Sequence, residues 1–248
     1  MLVYPHRAGA SLALAAACLL AAGCGSNDAP GSSDDSKQTA LPESSPKPKD
    51  WTEPKKSAAL PHGKRTVGGD PVNFPHTTKG AVAMLKEAAE VRVEKDHYFT
   101  DVQLRLLHRY QVEGEQTAEN ARKIKTKTEK KDAKLRRKAG VKKGEPLPRE
   151  VSLHVDVVGY KIVSASPDSV SAWLLTREAA KDKDHKKAVT SWSRQLSVAR
   201  WEKGDWKVSI ADTFHAMQNQ KEEDTPAAVA LGKPGFNKAG WTAIRGAA

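Results

Sequence analysis

The run Val151-Ser152-Leu153-His154-Val155-Asp156-Val157-Val158-Gly159-Tyr160-Lys161-Ile162-Val163 decides the fold. Val151, Leu153, Val155 and Val157 alternate with other side chains, the two-residue period of a strand with one buried face. The apolar parity then switches to Val158, Tyr160 and Ile162. A change of face beside Gly159 predicts a bulge or sharp bend within one long strand.

Downstream the chain continues as sheet. Ser166-Pro167-Asp168-Ser169 has turn chemistry. Val170 to Arg177 is apolar on both faces through Ala172, Trp173, Leu174 and Leu175, which suits a central strand. A polar loop, Ala180 to Lys187, leads to a strand from Val189 to Trp201, and Lys203-Gly204-Asp205 turns the chain into Trp206-Lys207-Val208-Ser209-Ile210, closing a hairpin. Upstream the period is helical. Thr77 or Thr78 can cap a helix whose Ala81, Val82, Leu85, Ala88, Ala89 and Val93 share a face. A second helix is expected from Thr100, with Gln103 at the capping-box spacing, Val102, Leu106, Leu107 and Tyr110 as its stripe and Gly114 as its stop. Residues 117–139 contain no Gly or Pro and offer Ala121, Ile124, Leu135 and a few other alanines for burial. They predict a long, largely exposed helix. The whole predicts an α+β fold: N-terminal helices on one face of a curved antiparallel sheet of about four strands, plus a long exposed basic helix.

That helix holds most of the excess charge. Between Thr117 and Lys143 stand 12 Lys/Arg and 3 Asp/Glu, a net +9 out of the chain's +11. Concentrated positive charge attracts polyanions, and Arg122, Lys123, Lys130, Lys134, Arg136 and Arg137 are the candidate residues for anionic lipid or wall polymer. The competing reading is a solvated face that keeps the helix soluble. The segment lacks interleaved aromatics for stacking on bases, which argues against nucleic acid.

Signatures of catalysis are absent: no phosphate loop, dinucleotide fingerprint, nucleophile elbow or zinc-protease helix occurs. His154 and Asp156 face the same way on one strand, but two ligands fall short of the four a structural metal takes, and such a pair is more often simply the wetter face of an amphipathic strand. Trp173, Trp192, Trp201 and Trp206 read as core and rim packing rather than a ligand cage. The sequence therefore assigns no catalytic residue, metal or cofactor.

Location is written at the start of the 248-residue chain. Arg7 precedes Ala8 to Ala22, an apolar run too short to span a bilayer comfortably, and no other long apolar run follows, which excludes a multi-span membrane protein. Leu20-Ala21-Ala22-Gly23-Cys24 resembles a bacterial lipobox, although Ala21 stands where Leu is usual. The resemblance implies cleavage before Cys24, acylation of that residue, and a protein anchored on the extracytoplasmic face of the membrane. Both cysteines, Cys18 and Cys24, fall in this segment, so the mature chain can form no internal disulfide and carries no free cysteine for catalysis. Residues 25–70 are rich in Ser, Pro, Asp, Lys and Gly and read as a disordered tether, roughly 35–40 Å root-mean-square as a flexible coil. The expected organisation is a signal peptide at 1–23, a lipidated tether at 24–70, the α+β domain at 71–215 and a mostly flexible tail at 216–248.

Helices followed by a long bent strand and a closing hairpin, Val198-Ala199-Arg200-Trp201-Glu202-Lys203-Gly204-Asp205-Trp206-Lys207-Val208, resemble the cone-shaped nuclear-transport-factor-2-like (cystatin-like) superfamily. More narrowly, Pro71-Val72-Asn73-Phe74-Pro75-His76-Thr77 and Gly80-Ala81-Val82-Ala83 resemble lipoprotein domains of actinobacterial integrative and conjugative elements. These resemblances imply two classes of function. One is a non-catalytic envelope domain that assembles with other proteins, as in a conjugation or secretion apparatus. The other is a small-molecule binder, or an isomerase- or cyclase-like enzyme, using the cone's pocket. For the second, Asp96, His97, Tyr98, Asp156 and Tyr160 are the residues that would have to converge, whereas Tyr98 and Tyr160 read more simply as core aromatics with satisfied hydroxyls.

Overall fold

The computed structural model describes residues 48–181 and 188–247. The signal segment, Cys24, residues 25–47 and loop residues 182–187 lie outside the described residues. In chain order the elements are β1 (Ser57–Ala58), β2 (Arg65–Val67), β3 (Asp70–Val72), α1 (Thr78–Ala89), β4 (Val91–Glu94), α2 (Phe99–Tyr110), α3 (Ala118–Ala139), β5 (Ser152–Ala165), β6 (Ser169–Lys181), β7 (Val189–Glu202), β8 (Asp205–Val208), α4 (Ile210–Gln218), α5 (Pro234–Lys238) and β9 (Thr242–Ile244). The fold is mixed α+β.

Among the described residues the main sheet has seven strands rather than about four. β1, β9, β5, β6, β7 and β8 lie in that order, and β4 also pairs with β5. Every pairing in it is antiparallel except β1 with β9. The four strands expected are β5 to β8, of which β8 has only four residues and is marked by its hairpin turn. The three others are two to four residues long, too short to leave a clear period, and they complete the sheet beyond β5. β4 corrects the expectation that Val93 continues the first helical face. Val91 and Val93 are buried while Arg92 and Glu94 are exposed, a strand's alternation.

The bulge lies where the parity switch puts it. The β5–β6 register shifts between Val157 and Gly159, leaving Val158 as the extra residue. On the other edge of β5, β4 pairs with Ser152 to Val155 and β9 with Gly159 and Tyr160, so the bulge falls between two different neighbours. Glycine lets the Phe236 ring approach closely there, since a Cβ on Gly159 would stand a tight 3.3 Å from it.

β6 is buried on both faces, and each face has its own core. Toward the helices, Val170, Ala172 and Leu174 join Ala81, Val82, Met84, Leu85, Leu106, Tyr110 and Trp206. Toward the opposite side, Trp173 and Leu175 join Val158, Leu196, Phe236, Trp241 and Ala243. The segment after Ala216, expected to be a mostly flexible tail, supplies that second cover. Phe236 and Trp241 are each 1% exposed, and the Trp241 Nε1–H donates to the Ala227 carbonyl at 2.9 Å. The physical reason is area: an uncovered sheet face bearing Trp173, Leu175 and Leu196 would be solvated at a large hydrophobic cost. The boundary at 71 moves as well, because Thr52 donates to the Gly232 carbonyl and β1 pairs with β9.

The entry to α1 is tied to the closing hairpin. Thr77, not Thr78, is the N-cap, accepting from the Gly80 N–H at 3.1 Å. The Asp205 carboxylate accepts from the backbone N–H groups of Asn73, Phe74 and Trp206, each at 2.9 Å. The Trp206 Nε1–H donates to the Pro75 carbonyl at 2.9 Å, and a Cβ on Gly80 would lie 1.9 Å from that same oxygen. The phrase from Pro71 to Ala83 is thus a packed joint.

Trp241→Ala is expected to cost about 3–5 kcal/mol, read from urea denaturation, because the indole site is enclosed. A chain ending at Gln220 uncovers the whole second face and should lose its cooperative thermal transition; an unchanged melting curve would refute the tail's packing role.

Candidate functional site

α3 is held by a stripe that is mostly polar. Ile124, Thr128, Asp132, Arg136 and Ala139 are its buried residues, one stripe at four- and three-residue spacing. Asp132 reaches the start of α2, whose N-cap Tyr98 makes no side-chain cap of its own. Its carboxylate accepts from Phe99 N–H at 2.8 Å, Thr100 N–H at 3.0 Å and the Thr100 hydroxyl at 2.6 Å. This corrects the expected capping box. α2 begins at Phe99, and its cap arrives from a residue 32 positions beyond Thr100. Arg136 lies over the Tyr98 ring, 3.9 Å from its centroid, and donates to the Glu145 carbonyl. The ends of α3 have local caps: Thr117 accepts from Asn120 N–H, and Gly140 closes the helix at φ 71°.

The six basic candidates therefore divide. Arg122, Lys130, Lys134 and Arg137 are exposed. Lys123 is half-buried and paired with Glu119 at 2.6 Å, one turn earlier, and that hydrogen bond and charge hold the Glu119 carboxyl below its ordinary value. Arg136 is only 5% exposed and belongs to the joint with Tyr98, so it is removed from the surface set. The helix is also less exposed than expected, because its buried stripe is built from Thr, Asp and Arg, types that hydropathy reads as solvent-facing. The clue in the sequence was the spacing of four.

Beside the basic face, α2 and α3 enclose a groove of about 770 Å3, with Tyr98, Leu104, Ala133 and Val141 among its walls. By contrast, the cavity between the helices and β5 to β7 is about 120 Å3, with Thr176 and Ser193 hydroxyls 2.6 Å apart at its lining. The residues expected to converge in a cone pocket have separate surroundings. The Tyr98 hydroxyl accepts from Gly144 N–H at 3.0 Å beside α3. Tyr160 lies in the helix-side core, where burial raises its hydroxyl above the ordinary phenol range. Asp156 is paired with Arg92 and Arg177, while Asp96 and His97 are exposed.

Among the described residues no group of three His, Cys, Asp or Glu could hold a metal ion, and His154 and Asp156 form no such site. Trp173 and Trp206 are buried, Trp192 packs against the second core, and Trp201 stacks on His76 with centroids 3.9 Å apart. No helix among the described residues is long and apolar enough to cross a membrane. Comparison with known proteins gives no matching family model, no matching curated protein and no matching solved structure.

Asp132→Ala strips three donors at the α2 N-terminus of their acceptor and is expected to destabilise the fold by about 3 kcal/mol. Lys134→Gln on the exposed side should change stability by no more than about 0.5 kcal/mol. Paired urea titrations check both.

Proposed function

We propose that the protein is a lipid-anchored envelope protein, held through Cys24 on the extracytoplasmic side of the membrane. Its α+β domain, of the nuclear-transport-factor-2-like kind, then works as a non-catalytic assembly module of a conjugation- or secretion-type apparatus. The outer face of α3 is its contact surface for anionic partners.

One observation carries the assembly reading. The space between helices and sheet, where a cone enzyme would bind substrate, is filled by side chains down to about 120 Å3, against about 300–1,000 Å3 for ligand pockets. A second observation orients the surface. Trp51 packs on Gly232 in the tail that covers one sheet face, whereas α3 packs on α2, on the helix-covered side. The anchor segment thus joins the fold on the side away from α3. Residues 24–47 at full extension reach at most roughly 80 Å. That reach exceeds the width of a domain of this size, so the basic face is free to meet acidic protein surfaces or anionic wall polymer.

Mass spectrometry of the mature N-terminus should find an acylated Cys24, and Cys24→Ser should move the protein from the detergent phase to the aqueous phase. An unacylated wild-type chain ends the anchoring proposal. The unlipidated Cys24→Ser protein should bind anionic wall polymer at low salt and release it at high salt, since the screening length falls from about 10 Å at 0.1 M to about 3 Å at 1 M. Changing Arg122, Lys123, Lys130, Lys134 and Arg137 together to Gln should abolish this binding while leaving Tm nearly unchanged. Binding that survives these changes refutes the role of α3.

A further inference from the structure

A second site lies at the outer edge of β5. β4 pairs with residues up to Val155 and β9 begins at Gly159, so the strand is unpaired between them, and the Val157 N–H is taken instead by Glu90 Oε1 at 3.1 Å. A cleft of about 480 Å3 opens over this gap, within the size range of small-ligand pockets. Three strands supply one wall. The register puts Arg92 opposite His154 and Arg177 opposite Asp156. Asp156 is shared: its Oδ1 lies 3.4 Å from Arg92 Nη2 and its Oδ2 lies 3.0 Å from Arg177 Nη2. Lys86 on α1 is already balanced, at 2.7 Å from Glu90 and 3.2 Å from Glu87. The opposite wall is Leu60, Pro61, Ile244 and Arg245, brought there because β1 and β9 pair.

Two features of the lining suit it to an anion. The first is charge. Lys86, Arg92, Arg177 and Arg245 stand against three carboxylates, Glu87, Glu90 and Asp156. Arg245 has no carboxylate partner among the described residues; its Nε meets only the Ser57 hydroxyl, at 3.4 Å. The second is unmet hydrogen bonding. Among the described residues, Arg177 Nε and His154 Nε2 are both screened from solvent without a hydrogen-bond partner. The nearest carboxylate to His154, on Glu94, is 3.9 Å away, beyond hydrogen-bond reach. An enclosed donor without an acceptor costs free energy, and Arg177 Nε, with His154 Nε2 in its protonated form, would gain an acceptor from an anion in the cleft.

We propose that this cleft binds the carboxylate of a small ligand, received by Arg177 and His154, with Arg245 closing over it from the chain's end. A monoanion leaves the lining charge-balanced, whereas a dianionic phosphate overfills it. Leu60, Pro61 and Ile244 offer an apolar wall for the ligand's body. The site is independent of the basic helix.

Isothermal titration calorimetry on the full chain in mild detergent tests this with three probes: the monoanionic dipeptide N-acetyl-alanyl-alanine, its uncharged C-terminal amide, and inorganic phosphate. The dipeptide carboxylate should bind saturably, and the amide and phosphate at least about tenfold more weakly, the equivalent of one charge-assisted hydrogen bond. Arg177→Lys keeps a cation beside Asp156 but removes the Nε donor, and should weaken binding about tenfold. Arg245→Gln and His154→Phe should each weaken it too, and Arg245→Gln, at an exposed position, should leave Tm unchanged. The five-Gln variant of α3 should bind the dipeptide as wild type does. Absence of saturable binding, equal affinity for phosphate, binding that survives Arg245→Gln and His154→Phe together, or loss in the five-Gln variant would each overturn the assignment.

Discussion

A strand that is apolar on both sides cannot lie at a surface, and β6 is such a strand. Val170, Ala172 and Leu174 point into one core, Trp173 and Leu175 into the other. Burying side chains of this size contributes about 1.5–3 kcal/mol each, so both faces must be covered for the chain to fold. α1 covers the first face with an almost wholly apolar run, Ala81 to Leu85. The C-terminal segment covers the second with Phe236 and Trp241. Everything that follows from the tail, including the β1–β9 pair, the cleft beside β5 and the point where the N-terminal segment joins, depends on that second cover.

Hydrophobic burial packs the layers; carboxylates set their register. Asp132 on α3 caps α2, Asp205 on the closing hairpin holds the segment entering α1, and Glu115 accepts from Ile210 and Ala211 N–H groups at the start of α4. Glu90 fills the gap on β5 in the same manner. Each links elements distant in the chain through backbone donors that would otherwise lack acceptors, a contribution of about 1.5–3 kcal/mol per charged bond. These contacts explain why a chain with no disulfide in its described domain can hold a highly charged helix firmly. Asp132 and Arg136 sit on the inner side of α3 so that Arg122, Lys130, Lys134 and Arg137 are presented on the outer side.

The candidate surface was legible only as composition. A net +9 within 27 residues marks a basic segment, but which lysines and arginines face outward depends on the helix's rotation. An apolar stripe would have revealed that rotation; here the stripe is Ile124, Thr128, Asp132, Arg136 and Ala139, mostly polar. Arg136 was therefore grouped with the surface residues. His154 and Asp156 were legible as a same-face pair, yet their partners Arg92 and Arg177 come from neighbouring strands, and no spacing in the chain joins them.

What the sequence determined by itself was local and periodic: the three long strands β5 to β7, the bulge beside Gly159, the hairpin at Lys203 and Gly204 that adds β8, and the helical nature of α1, α2 and α3. Period two, period 3.6 and turn chemistry are short-range signals carried by adjacent residues. What only the tertiary structure decided was long-range: the three short strands, the docking of the tail, the capping of α2 by Asp132, and the charged cleft over the β5 gap. A two-residue strand has no period of its own, and a Pro-, Gly- and Ala-rich tail has no amphipathic pattern. Both gain their structure from the unfilled edge and the uncovered face that the long strands create.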